Sequence, residues 1–179
     1  MKNISFIPAL LLALLLLPAC TPRNEWATHT VSDILENEPF YPYSFEYPSG
    51  WTIEEGNNHF ALVSEKKLLT DIPNKLEPGQ IIVSLSMNIT MSPEEMVDFR
   101  ANWLDEIIGF GDTVSIELNG RPAAYKEGAH FETNDQSLFI AVDMGKNMRG
   151  LLTSRMAEGE LETWREILMR IAESLRINS

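Results

Sequence analysis

Cysteine occurs once in the 179 residues, at Cys20. A single thiol closes no internal disulfide and offers no second thiolate for a metal cluster or a redox pair. Histidine is scarce too: none of His29, His59 and His130 has another histidine or the cysteine at ligand spacing, so zinc and copper lack a convergent donor set. Positive charge is in short supply, with 14 Lys and Arg against 26 Asp and Glu and a net charge of −12. A chain of that sign repels phosphate backbones and anionic head groups, which argues against a nucleic-acid partner and against lying flat on a membrane. No Gly-x-Ser-x-Gly elbow, phosphate loop or dinucleotide fingerprint is present, so no motif points to catalysis and no cofactor is implied. The apolar stretch from Ile4 to Leu17 would make a helix of roughly 21 Å, short of a hydrocarbon core of roughly 30 Å, and Pro8 interrupts it.

What the N-terminus does contain are the parts of an export signal: basic Lys2, that apolar stretch, and small Ala19 directly before Cys20. Leu17-Pro18-Ala19-Cys20 resembles the lipobox of bacterial lipoproteins, in which the cysteine receives a diacylglycerol thioether before signal peptidase cuts in front of it. The expected organisation is a lipoprotein signal peptide at 1–19, lipidated Cys20 with a tether through residue 40, and one domain at 41–179. The tether reading rests on two prolines, few bulky apolar residues and one positive against four negative charges between Thr21 and Phe40. The location this implies is extracytoplasmic, on a lipid anchor in the bacterial cell membrane or outer membrane.

From Tyr41 onward short alternating runs are separated by turn residues. Strands are expected at Tyr43–Tyr47, Trp51–Glu55, His59–Ser64 and Gln80–Ile89. Ser92-Pro93-Glu94-Glu95 carries a capping box, and the helix after it should present Met96, Arg100, Trp103, Leu104, Ile107 and Ile108 on one side and stop at Gly109. Asn119-Gly120 marks a hairpin between Thr113–Leu118 and a strand from Arg121 to about Thr133, with Gly128 a candidate bulge. Further strands, Ser137–Met144 and Arg149–Met156, flank a turn at Lys146-Asn147. A last helix from Glu160 to about Ile177 carries the stripe Leu161, Trp164, Leu168, Ile171 and Leu175. The fold class is therefore α+β, an antiparallel sheet covered by two amphipathic helices.

Three pieces in this order, YSFEYPSGW at Tyr43–Trp51, LNGRPAAY at Leu118–Tyr125 and IAESLRI at Ile171–Ile177, resemble the PsbP-like superfamily. The resemblance spans about Tyr41 to Ile177 and implies an α/β/α sandwich. Members of that superfamily include membrane-associated assembly factors, binding proteins and bacterial lipoproteins. The shared positions are turns and core aromatics, so the resemblance transfers no catalytic residue, and nothing in the chain points to a photosystem.

Candidate chemistry is sparse. His130 with Glu132 on one strand face could pair or bind a metal weakly; an exposed or hydrogen-bonded histidine is the plainer account. Glu54-Glu55, Glu94-Glu95 and Asp105-Glu106 are chain neighbours whose side chains diverge, which suits solvated faces better than paired catalytic carboxylates. Tyr43, Phe45, Trp51, Trp103 and Tyr125 could line a pocket, but helix-on-sheet packing needs the same residues. The 14-residue connection from Lys66 to Gly79 is longer than antiparallel neighbours require. Within it Lys67, Leu68, Leu69, Ile72 and Leu76 form either a partner-contact surface or a satellite of the core. The expectation is a non-catalytic, lipid-anchored binding or assembly module that holds a protein partner at the envelope through its sheet or this loop. The alternative is a small-ligand or metal-binding lipoprotein with a pocket at the aromatics or near His130, and an envelope hydrolase ranks last.

Replacing Cys20 by Ala should move the protein from the membrane fraction to the soluble one, or leave the precursor unprocessed. Unchanged processing and partition would show that Cys20 is not lipidated.

Overall fold

The computed structural model describes residues 25–32, 41–56 and 59–178. Cys20 and the signal region lie outside the described residues. Thirteen strands and helices follow in order: β1 (Trp26–Val31), β2 (Tyr43–Pro48), β3 (Thr52–Gly56), β4 (His59–Val63), β5 (Ile81–Asn88), α1 (Pro93–Asn102), β6 (Ile108–Phe110), β7 (Val114–Leu118), β8 (Arg121–His130), β9 (Gln136–Gly145), β10 (Met148–Met156), α2 (Leu161–Ser174) and β11 (Arg176–Ile177). The strands form an eight-stranded sheet in the order β3-β4-β5-β10-β9-β8-β6, with β7 also on β8, and a three-stranded sheet β1-β2-β11. Every described pairing is antiparallel. The expected α+β sandwich is what forms.

Side chains alternate across the large sheet and so sort into two layers. Leu138, Ile140 and Val142 of β9 meet Leu152 and Met156 of β10, Leu168 and Ile171 of α2, and Tyr43 and Phe45 of the small sheet. Phe139 and Ala141, the intervening β9 residues, pack with Ala124, Leu151 and Met96 and Val97 of α1. The turns follow their chemistry. Asn119 and Gly120 have φ of 51° and 76°, and Lys146 and Asn147 have φ of 50° and 61°, the left-handed values that tight hairpins require. Arg121 donates to the carbonyls of Leu175, Glu173 and Ala172, which satisfies the otherwise open C-terminal end of α2.

Four expectations are corrected. The stretch read as a tether contains β1, whose Trp26–Val31 pairs along the whole of β2 and whose Trp26 and Val31 pack on the main core. Arg170 of α2 lies over the Trp26 ring at 3.9 Å, and His29 sits against Phe45 and Phe60 at 5.3 and 5.1 Å. Second, α1 stops at Asn102 instead of continuing to Gly109. The chain is turned so that β6 can pair with β8, which buries Ile108 to 3% exposure and leaves Trp103 at 69%. Third, Gly128 makes no bulge: it pairs in register with Phe110 and Ser137. A Cβ there would lie 2.7 Å from Ile108 Cγ2 and from Phe110 Cδ1, so glycine is what lets β6 approach. Fourth, the last helix ends at Ser174, because Arg176–Ile177 pairs with β2 as β11.

The long connection after β4 is a packed element. Lys66–Leu69 forms a single 3-10 turn, and Leu68 and Leu76 are buried with Val63 and Ala157. The carboxylate of Asp135, 0% exposed, accepts from the Leu76 N–H at 3.1 Å and from Arg155 Nε at 2.8 Å, while Arg155 also donates to the Asn74 carbonyl. Gly79 N–H donates to Glu160 at the start of α2 at 2.9 Å. Of the five residues read as a contact surface, Leu68 and Leu76 therefore belong to the core and Leu69 is half-buried. Lys67 is exposed and paired with Glu65 at 3.0 Å, and Ile72 stands 58% exposed.

Two stability predictions follow from this packing. Leu68→Ala should lower unfolding stability by about 2–4 kcal/mol in a denaturant titration, the usual effect of truncating a buried leucine; a change within about 0.5 kcal/mol would return Leu68 to the surface. A chain beginning at Glu38, which lacks β1, should melt well below one beginning at Thr21, since it uncovers Phe45 and the edge of β2. Equal melting points would show that β1 is dispensable.

Candidate functional site

The second layer of the large sheet is only half covered. α1 spans ten residues and packs on β8, β9 and β10; among the described residues no α-helix lies over the same face of β4 and β5, where the connection after β4 covers Val63 and Ile82. Alternation decides what that face displays. On β5, Ile81, Val83 and Leu85 point into the main core, while Ser84 and Ser86 point the other way. On β10, Thr153 and Arg155 join Leu151 on this outer face, opposite Leu152 and Met156.

The result is a groove between the sheet and the edge of α1. It consists of two adjoining cavities of about 370 and 360 Å³, which meet at Ser84, Arg100 and Thr153. Each lies within the range of roughly 300–1,000 Å³ usual for small-molecule sites. The first runs toward β6 along Leu104, Ile107 and Phe139 and ends at His130, Ser137 and Arg155. The second runs toward Asn88, Met91 and Phe99. Among the described residues no carboxylate lines either cavity, although the chain carries 26. A further cavity of about 450 Å³ opens beside the first, at Ile107, His130, Phe131, Glu132 and Arg155.

Electrostatics in the groove are uneven. Arg155 is neutralised by buried Asp135, at 2.6 Å. Burial, and then the charge of Arg155, hold His130 below the usual imidazole range, against a smaller opposing effect of Asp135. Its Nε2 lies 3.3 Å from Ser137 Oγ, a hydroxyl–imidazole contact of the kind nucleophilic enzymes use. Here Ser137 is 1% exposed and the Asp135 carboxylate is committed to Leu76 and Arg155. The pair therefore lacks both access and an orienting acid, and its evident effect is to pin the ring. Arg100 differs from both. Each other described arginine has a carboxylate or carbonyl partner, whereas Arg100, partly buried on α1, has neither ion pair nor hydrogen bond among the described residues.

The candidates read from the sequence are dispersed by the fold. His130 and Glu132 both reach the third cavity, but among the described residues no group of three or more His, Cys, Asp or Glu is placed to hold a metal. Tyr43 and Phe45 are buried, Trp51 packs edge-on against Trp164 at 5.8 Å, and Tyr125 lies under Arg165 at 5.9 Å. Those four are packing, on the α2 side; Trp103 stacks on exposed Phe99 at 5.4 Å on the other. Glu95 closes the capping box with Ser92, while Glu94 accepts from Ser115 Oγ at 2.8 Å. Its pKa is lowered by its backbone N–H first and by Ser115 second. Asp98 is lowered chiefly by a hydrogen bond from Lys126 at 2.7 Å and then by Thr113, contacts that fasten α1 to the sheet. Sequence reasoning did not single out Ser84, Ser86, Thr153 or Arg155. The available signal was the polar phase of two otherwise apolar strands, Ser84-x-Ser86 and Thr153-x-Arg155.

No family model and no curated protein sequence matches the chain. Solved structures do. The chain is similar to the solution structure of cyanobacterial PsbP (CyanoP) from Synechocystis sp. PCC 6803, with 12% identity, a TM-score of 0.54, and coverage of 90% of this chain and 99% of that one. It is also similar to LpqN of Mycobacterium tuberculosis, described as involved in cell envelope biogenesis, with 16% identity, a TM-score of 0.53, and coverage of 87% and 93%. At these identities the likeness is one of fold, and the fold is the PsbP-like α+β sandwich.

Proposed function

We propose that this chain is a lipid-anchored, extracytoplasmic binding module of the bacterial cell envelope, without catalysis, and that its ligand or partner sits in the groove beside α1. One observation carries the reading: among the described residues part of one sheet face is left open, and its concave lining sets the hydroxyls of Ser84, Ser86 and Thr153 and the Arg100 guanidinium beside an apolar wall of Leu104, Ile107 and Phe139. Polar groups kept in a concave site beside an apolar wall are what a binding site needs to orient a ligand. The lipobox-like sequence ending at Cys20 supports the anchor. No helix among the described residues is long and apolar enough to cross a membrane. LpqN's involvement in cell envelope biogenesis supports an envelope role. That no carboxylate among the described residues lines the groove's two adjoining cavities, and that Asp135 is committed, favour binding over hydrolysis.

A photoreactive benzoylphenylalanine placed at Ser84 on the groove floor should form an adduct on irradiation of intact cells. The same group at Thr163, exposed on α2, should form none. Mass spectrometry of the adduct distinguishes a protein partner from a small molecule. No adduct at Ser84, or equal adducts at both positions, would remove the groove as the site.

A further inference from the structure

We infer that Arg100 is the seat for the carboxylate of an organic anion whose apolar body lies along Leu104, Ile107 and Phe139. This rests on the groove being the binding site and adds the chemical class of its occupant.

Charge singles out Arg100. In a chain with net charge −12, a guanidinium has many acids within reach, and each other described arginine has found a carboxylate or a carbonyl. Arg100 has none among the described residues, because its neighbours on α1 are held elsewhere: Asp98 by Lys126 and Thr113, Glu94 by Ser115, Glu95 by Ser92. An unpaired, partly desolvated cation in a lining free of carboxylates attracts an anion.

Two hydroxyls stand with Arg100. Ser84 and Thr153 are the other two residues at the junction of the two cavities, and their hydroxyls bond to no described group. One planar fork and two hydroxyls match a single carboxylate, whose two oxygens can take both guanidinium N–H groups and the hydroxyl protons. A doubly charged phosphate would call for a second free cation; Arg155 is held by Asp135, and His130 is kept toward its neutral form.

The wall beside them is apolar. From the junction toward β6 the lining turns apolar, and Ile107 stands 54% exposed at its outer lip, a costly position for an isoleucine unless something covers it. An anionic head with an apolar body fits both halves of this cavity at once, whereas a sugar or an inorganic anion would leave the wall wet.

Isothermal titration of the full chain with 4-phenylbutyrate and its neutral isostere 4-phenylbutyramide tests the inference. The carboxylate should bind at least about tenfold more tightly than the amide, the usual worth of a charge-assisted pair. Arg100→Gln should erase that preference while melting as the parent does, since Arg100 holds no described residue. Arg100→Lys, which keeps the charge and loses the fork, should retain part of it. Added salt should weaken the carboxylate and not the amide. Equal binding of the two probes, an Arg100→Gln protein that keeps the preference, or no binding of either probe would overturn the assignment. If an adduct still forms at Ser84 in that case, the groove stands and only the anionic class falls; if no adduct forms, both fall.

Discussion

Strand β9 is buried on both faces, and most of the molecule follows from that. Leu138, Ile140 and Val142 need an apolar cover on one side, and Phe139 and Ala141 need one on the other, so the sheet must be packed from both. The two covers are unequal. On one side α2 and the small sheet together close the face, drawing in Tyr43, Phe45, Leu168 and Ile171. On the other, α1 is ten residues long and fastened by Lys126 and Thr113 to the β8 side, where β9 lies. It does not lie over β5, which it faces only across the groove. The groove is the part of the sheet that a short helix, placed where the core demands it, does not cover.

The electrostatic arrangement has the same logic. Acids outnumber bases, yet Asp135, the one fully buried carboxylate among the described residues, is matched by Arg155 and by the Leu76 N–H, so its desolvation is offset locally. That match holds the long connection down over Val63 and Ala157 and removes Arg155 from service as a free cation. Among the described residues Arg100 is left in the groove without a partner, and the acids of α1 are engaged by Lys126, Thr113, Ser115 and Ser92.

Much of the fold was legible because it is local. The capping box at Ser92, the Asn119-Gly120 hairpin, the alternation Val83-Ser84-Leu85-Ser86 in β5, the apolar runs of β9 and β10 and the stripe on α2 each act within a few residues, and each formed where its chemistry placed it. The misreadings share a cause. Trp26–Val31 is short and half polar by itself; it becomes a strand because β2 offers its edge and Arg170 covers Trp26. The helical stripe through Ile107 and Ile108 was overruled by pairing with β8, and the end of α2 by pairing with β2. In each case a long-range ladder outweighed a local preference.

The sequence alone determined the class of fold, its turns, the alternating sorting of side chains into two layers, and a lone cysteine in a lipobox-like setting. Those are properties of short windows, set by backbone sterics and hydrophobic period. Only the tertiary structure decided which polar faces are wasted on solvent and which line a groove. Ser84, Thr153 and Arg100 come from β5, β10 and α1, and nothing in any one of those segments distinguishes a hydroxyl on an open surface from one on a groove floor. Whether an arginine is paired is likewise a fact about every carboxylate within its reach. Convergence in space, set by how far a ten-residue helix extends across a sheet, made that distinction.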